Sequence, residues 1–294
     1  MPDFPTAHFN DEVLYTVADG VAVITLNAPT RMNSMSRTMN MGVQVALDLA
    51  AEDDAVRVVV LTGSGQRAFC VGGNLASDTD GAASGFKGRA GDVIPPTTAA
   101  AVRNLRAGGN SSLCLREMDK PSIAAINGAC AGAGLSWACA CDLRFCSEGS
   151  VFRTAFASAG LSGDYGGTWT LPRIVGPARA RELYLLNRKV SASEARDMGL
   201  VTEVLKAAEL MPRVLAVAAG LAAGPPLAVR RIKQNLLDAD RAASFSDALN
   251  SEAERHARTA MHPDAAEAGL AFVQKRAPRF EGTPPKEPWM PSKL

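Results

Sequence analysis

Two glycine-rich segments decide how this chain reads: Ala68-Phe69-Cys70-Val71-Gly72-Gly73-Asn74-Leu75 and Gly128-Ala129-Cys130-Ala131-Gly132-Ala133-Gly134-Leu135. Each follows a short apolar run, Val58-Val59-Val60-Leu61-Thr62-Gly63 in the first case and Ile123-Ala124-Ala125-Ile126-Asn127 in the second. Glycine lets the main chain take unusual dihedrals and lets a ligand approach it closely. Two such segments facing each other aim two amide N–H groups at one oxygen. That is the geometry of an oxyanion hole, and it points to chemistry on a thioester or similar carbonyl. Taken alone, either segment reads better as a tight turn.

The surrounding pattern is α/β. Val13 to Val17 and Val21 to Leu26 are β-rich runs joined by Asp19-Gly20, a hairpin turn signal. Ser36 stands where it can cap a helix to about Ala51, with Met39, Val43, Ala46, Leu47 and Ala50 on one face. Val56 to Leu61 is a continuous apolar strand, as a sheet covered on both faces requires. Ile123 to Ile126, Leu135 to Ala140 and Leu143 to Cys146 then read as strand, helix and strand. Repeating strand–helix units imply an α/β core.

Residues 77–112 break this rhythm with polar loops, Pro95-Pro96 and Gly108-Gly109 around one helical stretch, Thr97 to Arg106. They read as a surface insertion or as a wall over a substrate pocket. Beyond Val201 the chain is helical, over Glu209 to Ala222, Pro226 to Ala239, Phe245 to Arg258 and Asp264 to Arg276, before a proline-rich tail.

Composition excludes several classes. The 294 residues carry 31 basic and 30 acidic side chains, a net charge of +1, so there is no basic field for nucleic acid. No apolar run reaches the ~20 residues of a membrane span, and the first residues lack the regions of a signal peptide. A cytoplasmic location is the expectation. The six cysteines sit in apolar or small-residue contexts and read as buried free thiols. Cys139-Ala140-Cys141 lacks zinc-knuckle spacing, so no metal site is assigned. None of the three histidines, His8, His256 and His262, falls near the glycine segments, which argues against histidine-based nucleophilic catalysis.

The order and spacing of these pieces carry a resemblance over roughly residues 10–280. Asn27-Ala28-Pro29 to Asn33-Ser34-Met35, the two glycine segments, Lys120-Pro121-Ser122, Cys141-Asp142, Gly160-Leu161, Gly166-Gly167-Thr168, Leu171-Pro172-Arg173-Ile174-Val175-Gly176, Ala192 to Val201 and Ala271-Phe272-Val273-Gln274-Lys275-Arg276 all take part. The chain resembles the crotonase (enoyl-CoA hydratase/isomerase) superfamily. The resemblance implies a spiral core of ββα turns over residues 1–200, with residues 77–112 as a variable insertion. It implies a C-terminal helical region, 201–294, that builds a homotrimer or a dimer of trimers. It also implies an acyl-CoA substrate, with coenzyme A as part of that substrate and no separate cofactor.

Residue by residue, the resemblance assigns the two thioester-binding N–H groups to Gly73 and Ala133, with the helix N-terminus after Ala133 adding positive charge at the enolate. Arg31, Ala68, Gly72, Phe272 and Lys275 fall at coenzyme A-binding positions. The two glutamates of hydratases correspond to Ser136 and Phe156, and neither is acidic here. Asp164, between Gly163 and Gly166, matches the aspartate of dienoyl-CoA isomerases. Phe156, Tyr165 and Trp169 are expected to line an apolar pocket that raises its pKa.

The favoured reading is an enoyl-CoA isomerase in which Asp164 removes and returns a proton and Ser136 orients the acyl chain or a water. Open alternatives are a hydratase with non-standard acids, a hydrolase or dehalogenase with Asp164 as nucleophile, and a non-catalytic acyl-CoA-binding protein. A Clp-type protease with Ser136 as nucleophile lacks a nearby histidine, and Gly132-Ala133-Gly134-Leu135-Ser136-Trp137 lacks the third glycine of a dinucleotide fingerprint.

Overall fold

A computed structural model describes residues 6–74 and 98–280. The hairpin forms as its turn chemistry requires: strands β2 (Val13–Ala18) and β3 (Val21–Leu26) pair antiparallel, and Asp19 and Gly20 take positive φ values of 49° and 79°. With β1 (Thr6–Asn10), β4 (Val58–Gly63), β6 (Ser122–Ile126), β8 (Leu143–Ser147) and β11 (Glu203–Leu205) they make a seven-stranded sheet, ordered β1-β2-β3-β4-β6-β8-β11. From β3 onward every pairing is parallel. A second sheet, β10-β9-β7-β5, takes β5 (Ala68–Cys70), β7 (Ala129–Ala131), β9 (Val151–Arg153) and β10 (Val190–Ser191). Each of β4, β6 and β8 thus passes its chain directly to β5, β7 or β9. This is a spiral of ββα turns, and it brings the ends of β5 and β7, where both glycine segments begin, side by side.

Helix α1 (Arg37–Glu52) starts at Ser36, whose hydroxyl accepts from the Met39 N–H at 2.9 Å and donates to Glu12. Its buried face is Met39, Gly42, Val43, Ala46, Leu47 and Ala50. The β4 strand is buried at every position. Val59 and Leu61 face the main core with α1, while Val58 and Val60 face a second cluster with Leu210, Val214, Ala218 and Ala222 of α8 (Ala207–Ala222). The period-two alternation of a strand and the helical spacing of α8 meet there. Each fully buried Leu or Val contributes about 1.5–3 kcal/mol. Helix α8 therefore covers the second face of the large sheet, although it follows residue 200.

Residues 77–97 lie outside the described residues, as do Leu75 and the tail from residue 281. The rest of the expected insertion is two helices, α2 (Thr98–Gly108) and α3 (Asn110–Glu117). The expected boundary at 112 falls inside α3, which is core: Leu115 is 0% exposed, and Ser111 accepts from the Trp137 indole N–H at 2.8 Å. The remaining helices are α4 (Ala133–Ala140), α5 (Gly167–Val175), α6 (Pro177–Leu186), α7 (Ala192–Asp197), α9 (Pro226–Ala239), α10 (Phe245–Ala260) and α11 (Pro263–Gln274). All six cysteines are free and buried. Among the described residues no single helix is long and apolar enough to cross a membrane.

Charge ties α9 to the core. Lys233 is 6% exposed, pairs with Asp142 at 2.8 Å and donates to the Lys120 carbonyl at 3.0 Å. Asp142 also accepts from the Ser122 N–H and hydroxyl. Arg230 pairs with Asp119 nearby. The Asp142 side chain is 31% exposed and keeps its Ser122 contacts, so removing Lys233 leaves it partly solvated. Lys233→Ala is expected to lower the unfolding free energy by about 1.5–3 kcal/mol in urea titrations, the worth of a hydrogen bond to a charged group.

Candidate active site

The two glycine segments meet. Gly72 has φ of +89°, and a Cβ built on it would stand 3.3 Å from the Ala133 nitrogen and 3.4 Å from Gly132 Cα. No side chain other than hydrogen fits this conformation without strain. The Met35 N–H donates to the Gly72 carbonyl at 2.8 Å, and the Asn74 N–H donates to Met35 at 3.0 Å, which fixes the main chain on both sides of Gly73. Across the gap, the Gly132 N–H is held by the Arg153 carbonyl at 3.1 Å. Among the described residues neither the Gly73 nor the Ala133 N–H donates to a protein acceptor. Ala133 is the first residue of α4, a helix in which all eight residues are buried. Both N–H groups are thus left free of protein acceptors among the described residues, the Ala133 one at the positive end of the α4 dipole.

Two asparagines brace this arrangement. Asn33, with φ of 52°, accepts from the Ala28 N–H and donates to the Ser64 and Ala68 carbonyls at 3.0 and 2.8 Å. Asn127 donates to Gly65 at 2.8 Å and to Ala68 at 3.2 Å. The Ala68 carbonyl is thus engaged twice, and its side chain is buried.

Asp164 lies in the turn before α5, between Gly163 (φ 122°) and residues Tyr165 and Gly166 at φ of 49° and 75°. One carboxylate oxygen, Oδ1, is buried with no hydrogen-bond partner among the described residues. Burial alone pushes the carboxyl up to about 6. The turn is held by its backbone: the Ser136 hydroxyl and the Gly167 N–H both donate to the Asp164 carbonyl, at 3.2 and 3.1 Å. Ser136 is 1% exposed. Ser136 thus braces the Asp164 turn from α4.

The expected pocket residues separate. Phe156 is buried and stacks on Tyr184, with ring centroids 6.2 Å apart and planes at 11°. Tyr165 packs edge-on against Trp137 at 5.9 Å and lines a groove of about 440 Å³ with Asn40, Met41 and Gln44 of α1 and Leu105 and Gly108 of α2. Trp169 lies under two guanidinium groups, Arg173 at 3.6 Å and Arg116 at 4.2 Å. Arg116 in turn pairs with Asp240 at 2.5 Å. Trp169 is therefore a cation–π platform whose Arg116 partner leads to the end of α9. Arg31 is salt-bridged to Glu12 at 2.8 Å, and Phe272 and Lys275 are exposed at the end of α11. Among the described residues no group of three or more His, Cys, Asp or Glu side chains is arranged to hold a metal ion.

The family model described as enoyl-CoA hydratase/isomerase matches residues 16–283. The chain belongs to the enoyl-CoA hydratase/isomerase family. Within it, the chain is 33% identical to the 1,2-epoxyphenylacetyl-CoA isomerase of Escherichia coli, covering 92% of this chain and 98% of the relative. It is also 33% identical to the peroxisomal Delta(3,5)-Delta(2,4)-dienoyl-CoA isomerase of Arabidopsis thaliana, covering 87% and 90%. A crystal structure titled putative enoyl-CoA hydratase from Streptomyces coelicolor superposes with a TM-score of 0.84 at 31% identity, over 96% of this chain and 98% of that one. Enoyl-CoA hydratases and isomerases share the ββα spiral seen here, so the family match and the paired glycine segments agree on the fold. Tyr184 and the two bracing asparagines are the contributors to the site that residue-level reading missed. Asn33 and Asn127 sit in the quoted motifs but gave no signal of their clamp. Tyr184 lies in α6, a stretch without a marked apolar face.

Proposed function

We propose that this enzyme is an acyl-CoA isomerase that moves a C=C bond by a one-base proton shuttle. The thioester oxygen sits between the Gly73 and Ala133 N–H groups, which stabilise the dienolate. The Asp164 carboxylate takes a proton from the acyl chain and, as the acid so formed, returns it at another carbon. One carboxylate suffices because the base of the first step is the acid of the second. The observation that carries this reading is the Asp164 carboxylate oxygen, buried and unpaired on a turn that Ser136 of α4 holds. Ser136 and Phe156 leave neither hydratase acid position with a carboxyl group. Two relatives named as isomerases support the same direction.

Arg31, Phe272 and Lys275 are proposed to contact coenzyme A, the last two across a subunit boundary. The exposed Ile232, Leu236, Phe245, Leu249 and Phe272 on α9 to α11 are proposed to be covered in a homotrimer. The test is product analysis: the protein is given a 3-enoyl-CoA and the products are separated by chromatography. The 2-enoyl-CoA is expected as the first product. Free coenzyme A would point instead to hydrolysis, and a 3-hydroxyacyl-CoA formed in a parallel incubation with 2-enoyl-CoA would point to hydration.

A further inference from the structure

The turn that carries Asp164 is strained at one residue. Gly163, Tyr165 and Gly166 take positive φ values of 122°, 49° and 75°. Glycine enters that region freely, whereas a residue with a Cβ does not. Tyr165 is therefore the member of the three that loads the turn. Such a residue persists only where its surroundings hold it, and strained residues gather where geometry serves function.

The Tyr165 side chain is held at its ring and at its tip. The ring meets Trp137 of α4 edge-on, with centroids 5.9 Å apart and planes at 88°. Trp137 is buried, and its indole N–H donates to Ser111 of α3. The phenol oxygen reaches the end of α2: a Cβ built on Gly108 would stand 2.6 Å from Tyr165 Oη and 3.2 Å from Cζ. Gly108 has no positive φ, so the phenol, and not the backbone, excludes a side chain there. On the main-chain side, the Asp164 carbonyl accepts from Ser136 and Gly167 at 3.2 and 3.1 Å. The peptide after Asp164 is thus fixed twice, by its own carbonyl and by the side chain that follows. Among the described residues the titratable groups that feel the Asp164 charge are the Cys70 thiol and the Tyr165 and Tyr184 phenols. Burial pushes all three up, so they stay neutral where the carboxyl titrates.

We propose that Tyr165 is a positioning residue: its side chain, held by Trp137 of α4 and by the end of α2, fixes the left-handed turn and thereby aims the Asp164 carboxylate. This rests on the proton-shuttle reading given above. It also ties the position of α2 to that of the base.

The test is steady-state kinetics with a 3-enoyl-CoA, with rates taken per folded molecule, paired with carbon NMR titration of the Asp164 carboxyl. The resonance is identified by its loss in Asp164→Asn. Tyr165→Gly relieves the strain and removes the hold. Its kcat is expected to fall about 10–10²-fold with KM near the wild-type value, the order that a small misplacement of a reacting group costs. Its carboxyl is expected to titrate below the wild-type value of about 6, because water enters beside it. Gly108→Ala presses a methyl group on the phenol oxygen and is expected to lower kcat about tenfold at constant KM. Adding Tyr165→Phe, which deletes that oxygen, is expected to recover the loss. A purely structural tyrosine would move neither the carboxyl titration nor kcat per folded molecule. An unchanged kcat or titration in Tyr165→Gly, full activity in Gly108→Ala, or a loss there that Tyr165→Phe does not recover would overturn the inference. Where Tyr165→Gly does not fold, the Gly108 variants decide. Wild type whose carboxyl titrates near 6 but which moves no double bond would overturn the shuttle reading instead, and the carboxyl titrations would still judge the positioning.

Discussion

Asp164→Asn lowers kcat for double-bond migration by ~10²–10⁴-fold, the usual worth of a positioned acid–base group, and leaves KM near its wild-type value. The amide is nearly the same size and keeps the backbone contacts of Ser136 and Gly167, so binding survives while proton transfer does not. In the wild type, kcat rises with pH through about 6, where the buried carboxyl loses its proton, and is level above. The same variant gains stability. The fold disfavours the charged carboxylate, so the native pKa stands above the unfolded one. The penalty is absent below the unfolded value and complete once pH exceeds about 6. Asp164→Asn is therefore expected to melt at a higher temperature than wild type at neutral pH and to lose that advantage in acid. Calorimetry at two pH values checks the sign.

Gly134→Ala removes activity through the main chain. A Cβ at Gly134 would overlap the Cys70 carbonyl oxygen and stand 2.8 Å from Cys70 C and Cβ. The first turn of α4 rests directly on the end of β5, and backbone cannot give way as a flexible side chain can. Overpacking of this kind costs about 1–3 kcal/mol. The larger effect is on geometry: pushing α4 from β5 draws the Ala133 N–H away from Gly73. Losing one oxyanion donor costs ~10²–10³ in kcat. Gly269→Ala is the control, since nothing lies within 4 Å of its Cβ in α11. That change is expected to stabilise the helix by about 0.5–1 kcal/mol and leave kcat unchanged.

The sequence was most legible where chemistry is local. Asp19-Gly20 marked the hairpin, Ser36 the start of α1, and the unbroken run at Val58 the doubly covered strand. The helices after residue 200 lie within a few residues of where their periodicity put them, though not what α8 packs on. Convergence of the two glycine segments was visible as a possibility because each follows a strand. That Gly72 faces Ala133 is a fact of how β5 and β7 pair. Long-range side-chain geometry was not legible. Trp169 gave no sign of its double cation–π contact because one of its two arginine partners, Arg116, comes from α3. The bracing role of Ser136 was not visible because its acceptor is a backbone carbonyl 28 residues away. Tyr184 gave no signal, since its stacking partner Phe156 comes from a different segment of the chain.

The most direct test of the one-base shuttle is proton exchange in heavy water. Wild type and Asp164→Asn are incubated with a 3-enoyl-CoA in deuterium oxide, and the acyl chain is followed by mass spectrometry. The account predicts deuterium in the acyl chain of the migrated product for wild type and none above background for the variant. Equal deuterium uptake by Asp164→Asn would contradict it, because the proton would then be carried by another group.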